Sequence, residues 1–309
     1  MHRSLALRRA CPARGRRTAR AASSAVHVLA CATEYRQETA ILQRSAKRNG
    51  FRFHTVGLGE PWRGFATKFL AYERRLRELR ERLPPEQLVM LLDAWDTPTH
   101  HPNSPHLPRA SSPSEGWLLC GAERVCGPNH FLVAQIEALF PDGHTPWRYP
   151  NSGGLVGPLE VMLELLHDLV HDTERAQLGQ ENGLALPAEE NDQVRLHDFL
   201  IARAAQGRAF PMRLDTDCEV FQCMYEEQPQ WQVDLSGQKP RLRNQLTQSQ
   251  PLVAHGNGHT GRKLLDHLGL SMAELQHLQH EMPVPPGTEV TEEIKAEYCP
   301  WWYMPGCSS

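Results

Sequence analysis

Asp93 and Asp96, in Asp93-Ala94-Trp95-Asp96, follow directly on the apolar run Leu88 to Leu92. Carboxylates leaving the end of a buried strand offer hard oxygen ligands to Mg²⁺ or Mn²⁺, ions that bridge protein to substrate phosphates. The same pair would serve equally as a helix cap or an Asx-turn before Pro98. A second cluster is Ala254-His255-Gly256-Asn257-Gly258, after Pro251-Leu252-Val253. Its glycines admit a ligand close to the backbone and its imidazole suits a borderline metal, although a plain turn would need neither. Asn151-Ser152-Gly153-Gly154 sets side-chain donors among small residues, which fits a polar ligand or a tight turn. Glu189-Glu190-Asn191-Asp192-Gln193 opens a helix, where acidic residues answer the helix dipole or grip sugar hydroxyls. Asp215, in Leu214-Asp215-Thr216-Asp217-Cys218, is a further carboxylate of that kind.

Such residues act only if a frame brings them together. Val26 to Ala32 reads as a buried strand, residues 36–49 as a helix stopped by Asn49-Gly50, and Phe51 to Gly57 as a second strand. Phe69, Tyr72, Leu76, Leu79 and Leu83 form one helical stripe ended by Pro84-Pro85. The Glu/Arg run on that helix, with Glu73–Arg77 and Glu78–Arg82 at i,i+4, reads as a solvated face. Leu88 to Leu92 is the third strand and Gly116 to Cys120 another; Asn129 to Phe140 reads as a helix. Residues 151–154 then open a loop before Leu155-Val156-Gly157, and Pro158 starts a helix whose Leu159, Met162, Leu163, Leu166, Leu169 and Val170 share one face. Residues 173–190 read as a loop and Asp192 to Ala205 as a helix. Ser271 and Glu274 suggest the capping box of a late helix. Strands alternating with helices, the strands continuously apolar, predict an α/β domain on a parallel or mixed sheet. Ligands of such sheets sit where strands end, which is the position of Asp93.

Composition narrows the function. The 309 residues carry 33 Lys+Arg against 36 Asp+Glu, a net charge of −3, without the basic excess of a general nucleic-acid binder. At 40% hydrophobic and 22% charged, the chain has the make-up of a globular protein. No stretch approaches the ~18 apolar residues of a membrane-spanning helix. Its 8 cysteines include no C-x-x-C pair, which disfavours a structural zinc site and leaves the redox compartment open. Residues 1–25 are Arg-rich and free of acidic residues, the composition of an organelle leader or of a disordered basic tail. The expected organisation is this leader, a main domain at 26–268, and a C-terminal helix with a Pro-containing aromatic tail at 269–309.

Taken in order, these features are more specific than any one alone. Ala32-Thr33, Gly57-Leu58-Gly59-Glu60-Pro61-Trp62, Lys68, Asp93-Ala94-Trp95-Asp96, Ala122-Glu123, Ser152-Gly153-Gly154, Asn191-Asp192-Gln193, Asp215 with Cys218 and Phe221-Gln222, and His255-Gly256-Asn257-Gly258 follow one another along the chain. Over roughly Val26 to Leu265 it resembles the glycosyltransferase domain of the procollagen-lysine hydroxylase/glycosyltransferase family (the PLOD, or lysyl hydroxylase, family). That resemblance implies a GT-A, Rossmann-like fold on a mostly parallel, mixed sheet, and a UDP-sugar donor, UDP-glucose or UDP-galactose. It implies that Asp93, Asp96 and His255 hold Mn²⁺, and that Thr33, Lys68 and Trp95 lie by the nucleotide. Ser152 and Gly153 would join the donor site, Asn257 and Gly258 would line the diphosphate, and Asn191, Asp192 and Asp215 would face sugar and acceptor. The acceptor would be a protein or glycan hydroxyl, such as hydroxylysine or galactosyl-hydroxylysine, in the secretory pathway; the Arg-rich leader alone would suggest an organelle instead.

Three departures bear on this. The family continues from HGNG with Pro-Thr-Lys, where this chain has His259-Thr260-Gly261-Arg262-Lys263. The family's acidic run is diluted to Glu190-Asn191-Asp192. No hydroxylase region follows, so lysine hydroxylation, iron and 2-oxoglutarate are not expected. Two further readings are a catalytically silent nucleotide- or glycan-binding scaffold and a metal-dependent UDP-sugar hydrolase.

Overall fold

The computed structural model describes residues 25–95, 97, 99, 117–171, 191–225, 231–234 and 241–257. The leader, Asp96, the expected loop at 173–190, Gly258, the capping box and the aromatic tail lie outside the described residues.

The chain alternates as expected through its first half: β1 (His27–Cys31), α1 (Gln37–Arg48), β2 (Arg52–Val56), α2 (Ala66–Arg80) and β3 (Leu88–Asp93). β1 pairs in parallel with β2 and with β3, so that Cys31 and Asp93 end side by side at one edge. β4 (Leu118–Glu123) follows, then a 3₁₀ turn at His130–Leu132 running into α3 (Val133–Leu139), where a single helix is expected. β5 (Tyr149–Pro158) leads to α4 (Leu159–His171), and α5 spans Asp192–Ala205. Short strands β6 (Met212–Leu214), β7 (Phe221–Cys223), β8 (Trp231–Asp234), β9 (Arg241–Asn244) and β10 (Val253–His255) complete the described part. The main sheet has the order β2-β1-β3-β5-β4-β6, and β5 alone runs against the others. This is an α/β fold on a mixed, mostly parallel sheet.

One expectation is corrected. Residues 151–154 are not a loop but part of β5: Gly154 pairs with Leu92 of β3 and Asn151 with Gly121 of β4, across a shift in the β4 register between Cys120 and Gly121. Gly and Asn disfavour strands, yet ladders to β3 and β4 at the ends of this segment hold it extended, and every residue of β5 is buried. Pro158 accordingly ends a strand instead of starting a helix.

Alternation along the strands gives the sheet two apolar faces. Leu29, Val89, Leu91 and Leu155 point into a core with α2, α4 and α5, built on Tyr72, Leu76, Leu159, Leu166 and Phe199. Val28, Ala30, Met90, Leu92 and Val156 point the other way, onto Leu42, Val220, Phe221 and Val253. Two small sheets accompany the main one, β7–β10 parallel and β8–β9 antiparallel, and Phe221 of β7 and Val253 of β10 belong to the second core. A bridge between Thr99 and Val253 ties the segment after Asp93 to β10. That tie explains how His255, far along the chain, reaches Asp93.

Candidate active site

A cleft of about 420 Å³ opens where β3, β4 and β5 meet the start of α5 and the end of β10. Its walls include Asp93, Glu123, Asn151, Ser152, Gly153, Asn191, Asp192, Gln193, His255 and Asn257. His255 Nε2 lies 3.5 Å from Asp93 Oδ2, a carboxylate–imidazole pair with the spacing of two ligands to one divalent cation. Cys223 Sγ contacts His255 Nδ1 at 3.9 Å across the β7–β10 pairing. Gly153 fits beneath the pair only because it has no side chain: a Cβ there would stand 2.1 Å from His255 Cε1 and 2.7 Å from Asp93 Oδ2. Gly154 is equally confined, since its Cβ would meet Phe221 Cδ1 at 2.8 Å.

Lys68, from the first turn of α2, is buried behind Asp93. Its Nζ donates to Asp93 Oδ1 at 2.6 Å and to Asp192 Oδ2 at 2.5 Å, and the Ser152 hydroxyl donates to the same Asp192 oxygen at 2.8 Å. Burial pushes the Asp93 carboxyl up, but Lys68 and His255 outweigh it and hold Asp93 well below the usual carboxylate range. Burial likewise disfavours charge on Lys68, and the two carboxylates overcome it, keeping the ammonium protonated. One cation thus locks two acids whose positions are 99 residues apart in sequence, from Asp93 to Asp192.

A polar chain continues along the cleft wall. Gln193 accepts from the Ser152 amide at 2.7 Å and donates to Glu123 Oε1 at 3.1 Å; Asn257 donates to Glu123 Oε2 at 2.9 Å. Asn257 Oδ1 also accepts from the Met224 and Tyr225 amides, which fixes the loop after β7. Burial raises the Glu123 carboxyl to about 7, against the opposing pull of Asn151, His255 and Asn257. Asn191 caps α5, accepting from the Gln193 amide at 2.9 Å and the Val194 amide at 3.4 Å.

The fold therefore gathers Asp93, Ser152, Gly153, Asn191, Asp192, His255 and Asn257 around one cleft. Other expected residues fall elsewhere. Asp215 lies outside the cleft walls, and its carboxylate accepts the Glu219, Val220 and Phe221 amides at 2.9, 2.8 and 2.7 Å. It shapes the approach to β7 and does not face a ligand in this cleft. Thr33 holds the 57–60 turn through its carbonyl, which accepts the Gly59 amide at 2.9 Å. Trp95 is 38% exposed beside the strand end, with the Arg36 guanidinium 4.0 Å over its ring. Asp96 and Gly258 are outside the described residues. In the sequence Glu123 and Gln193 stand only as members of the Ala122-Glu123 and Asn191-Asp192-Gln193 motifs, without roles of their own; the structure puts both side chains in the cleft wall.

Residues 22–280 match the family model described as the PLOD GT domain. Uncharacterized protein R699 of Acanthamoeba polyphaga mimivirus is 26% identical over 238 residues, covering 75% of this chain and 46% of that protein. The multifunctional procollagen lysine hydroxylase and glycosyltransferase LH3 of Homo sapiens is 24% identical over 237 residues, covering 73% of this chain and 28% of its own length. The chain thus spans under half of either relative. A solved glycosyltransferase involved in glycosylating the major capsid of PBCV-1 aligns over 83% of this chain and 99% of its own, with a TM-score of 0.44 and 12% identity.

Proposed function

Because the chain belongs to the PLOD glycosyltransferase-domain family, we propose that it is a Mn²⁺-dependent glycosyltransferase. It would move glucose or galactose from a UDP-sugar to a protein or glycan hydroxyl, such as hydroxylysine or galactosyl-hydroxylysine, in the secretory pathway. The observation that carries this reading is the Asp93–His255 pair over Gly153 at the cleft floor. A carboxylate oxygen and an imidazole nitrogen suit Mn²⁺, and Lys68 occupies the other Asp93 oxygen, leaving Oδ2 turned to His255. Asp93 and His255, with Asp96, would hold the ion, which when bound neutralises charge on the departing diphosphate.

The chain's own groups supply the rest. Lys68 and Ser152 hold one oxygen of Asp192, so that this carboxylate sits oriented on the cleft wall. Breaking a sugar C1–oxygen bond builds positive charge on the ring, which a fixed carboxylate stabilises without reorganising. Glu123, protonating near neutrality, suits transfer of the acceptor hydroxyl proton. Asn257 and Gln193 hold its two oxygens in place. The cleft would position donor against acceptor.

Incubation with UDP-glucose and UDP-galactose, with and without Mn²⁺ and a galactosylated hydroxylysine peptide, tests the proposal. Metal-dependent UDP release that rises with acceptor, and falls at least about 100-fold in Asp93→Asn, is the expected result. Release indifferent to acceptor would mean hydrolysis. Tight UDP binding without turnover on either donor would mean a silent domain.

A further inference from the structure

Away from the cleft, α2 and α4 bring Glu73, His167 and His171 together. Glu73 belongs to the charged run read as a solvated face, yet it is only 5% exposed. Arg77, one turn on, donates to its Oε1 at 2.6 Å, as the i,i+4 spacing allows. The facing helix supplies two imidazoles: His171 Nε2 lies 3.1 Å from Glu73 Oε2, and His167 Nδ1 lies 3.5 Å from Glu73 Oε1. Their ring centroids are 4.7 Å apart. None of the three residues lines the cleft.

We propose that Glu73, His167 and His171 bind a divalent transition metal of the Zn²⁺ class, clipping α2 to α4. Ligand bonds of ~2.0–2.1 Å arranged tetrahedrally put neighbouring donor atoms roughly 3.4 Å apart. The His167 and His171 nitrogens lie 3.5 and 3.1 Å from Glu73 Oε1 and Oε2 respectively, each close to that edge, and one donor atom from each residue lies within 4.8 Å of the others. Two histidines one helical turn apart present their rings on the same side, the arrangement by which a helix grips a metal. Nitrogen donors with one carboxylate select Zn²⁺, Ni²⁺ or Cu²⁺ over the hard ions the cleft suits. Arg77 fixes the carboxylate from outside the ligand set, as partners of metal-bound carboxylates do. The half-exposed imidazoles leave the ion reachable from solvent, with room for water as a fourth ligand. Because α2 also carries Lys68, the clip anchors the helix that holds Asp93 and Asp192.

The test titrates the full chain, stripped of metal, with Zn²⁺ by calorimetry and with Co²⁺ by visible absorption. Wild type and Asp93→Asn should both develop the intense bands of tetrahedral Co²⁺, and both should gain Tm with Zn²⁺. His167→Ala and His171→Ala should each weaken Zn²⁺ binding at least about 10-fold, and the double variant should lose the bands and the Tm gain. Both positions are half exposed, so circular dichroism should report an unchanged fold; His171→Gln repeats the test if the alanine variants do not fold. Unaltered binding in the histidine variants would overturn the proposal. So would loss of every Co²⁺ band in Asp93→Asn, or thiolate charge-transfer absorption in place of a histidine spectrum.

Discussion

Gly153 shows how much a single missing methyl group can decide. Glycine is needed there for space, because the imidazole of His255 and a carboxylate oxygen of Asp93 occupy the volume a Cβ would take. The added atom in Gly153→Ala would meet two side chains anchored in separate strands, so one or both must move. The expected outcome is a folded protein whose Mn²⁺-dependent UDP affinity falls at least about 10-fold, since misplacing a ligand pair by an ångström is costly. Calorimetric titration with UDP, with and without Mn²⁺, checks it; undiminished metal-dependent affinity would separate the Asp93–His255 pair from donor binding.

Among the elements, α5 was legible to the residue and β5 was not. Asp192 to Ala205 carries its own start signal: an asparagine cap, an acidic first turn and an apolar stripe ending on Phe199 and Leu200. Removing the cap in Asn191→Ala should cost about 1 kcal/mol, a fall in Tm of roughly 2–4 °C, measurable by thermal denaturation. A larger loss would mean that Asn191 also holds the cleft wall. Residues 151–154 of β5 read as a turn because Asn, Ser and Gly disfavour strands one at a time; pairing of Gly154 with β3 and of Asn151 with β4 holds the segment extended. Glu73 misleads in the same way, since its i,i+4 partner is visible in sequence whereas the packing of α4 over it is not.

At the scale of the whole molecule, burial makes stability depend on pH in opposing directions. Glu123 rises from 4.5 to about 7 on folding, so between those values the native protein keeps a proton that the unfolded chain has released. Its contribution is complete below the unfolded value and is lost as pH rises through about 7; the shift corresponds to roughly 3 kcal/mol. Asp215, raised by burial to about 6, acts in the same sense. Asp93, held low by Lys68 and His255 against the effect of burial, does the reverse and loses its contribution only on strong acidification. His54, lowered to about 4 by burial and by Arg75, and His27 and His197, also lowered by burial, gain stability as pH rises through the same window. The Glu123 contribution is therefore read as a difference: from pH 4.5 to 7.5 the urea midpoint of metal-free Glu123→Gln should rise relative to that of the wild type. A slope unchanged in the variant would assign the effect to other groups.

The amino-acid sequence by itself determined the α/β alternation and the strand-end position of Asp93, because periodicity, caps and breakers act within a dozen residues. The order of its motifs also carried the family. That His255 meets Asp93 is implied by the family resemblance and not by any local pattern; tertiary structure alone decided that Lys68 joins Asp93 to Asp192 and that Asp215 serves the backbone of β7. Those outcomes depend on which strands pair across long stretches of chain, and on how much water is left around a charge once they have.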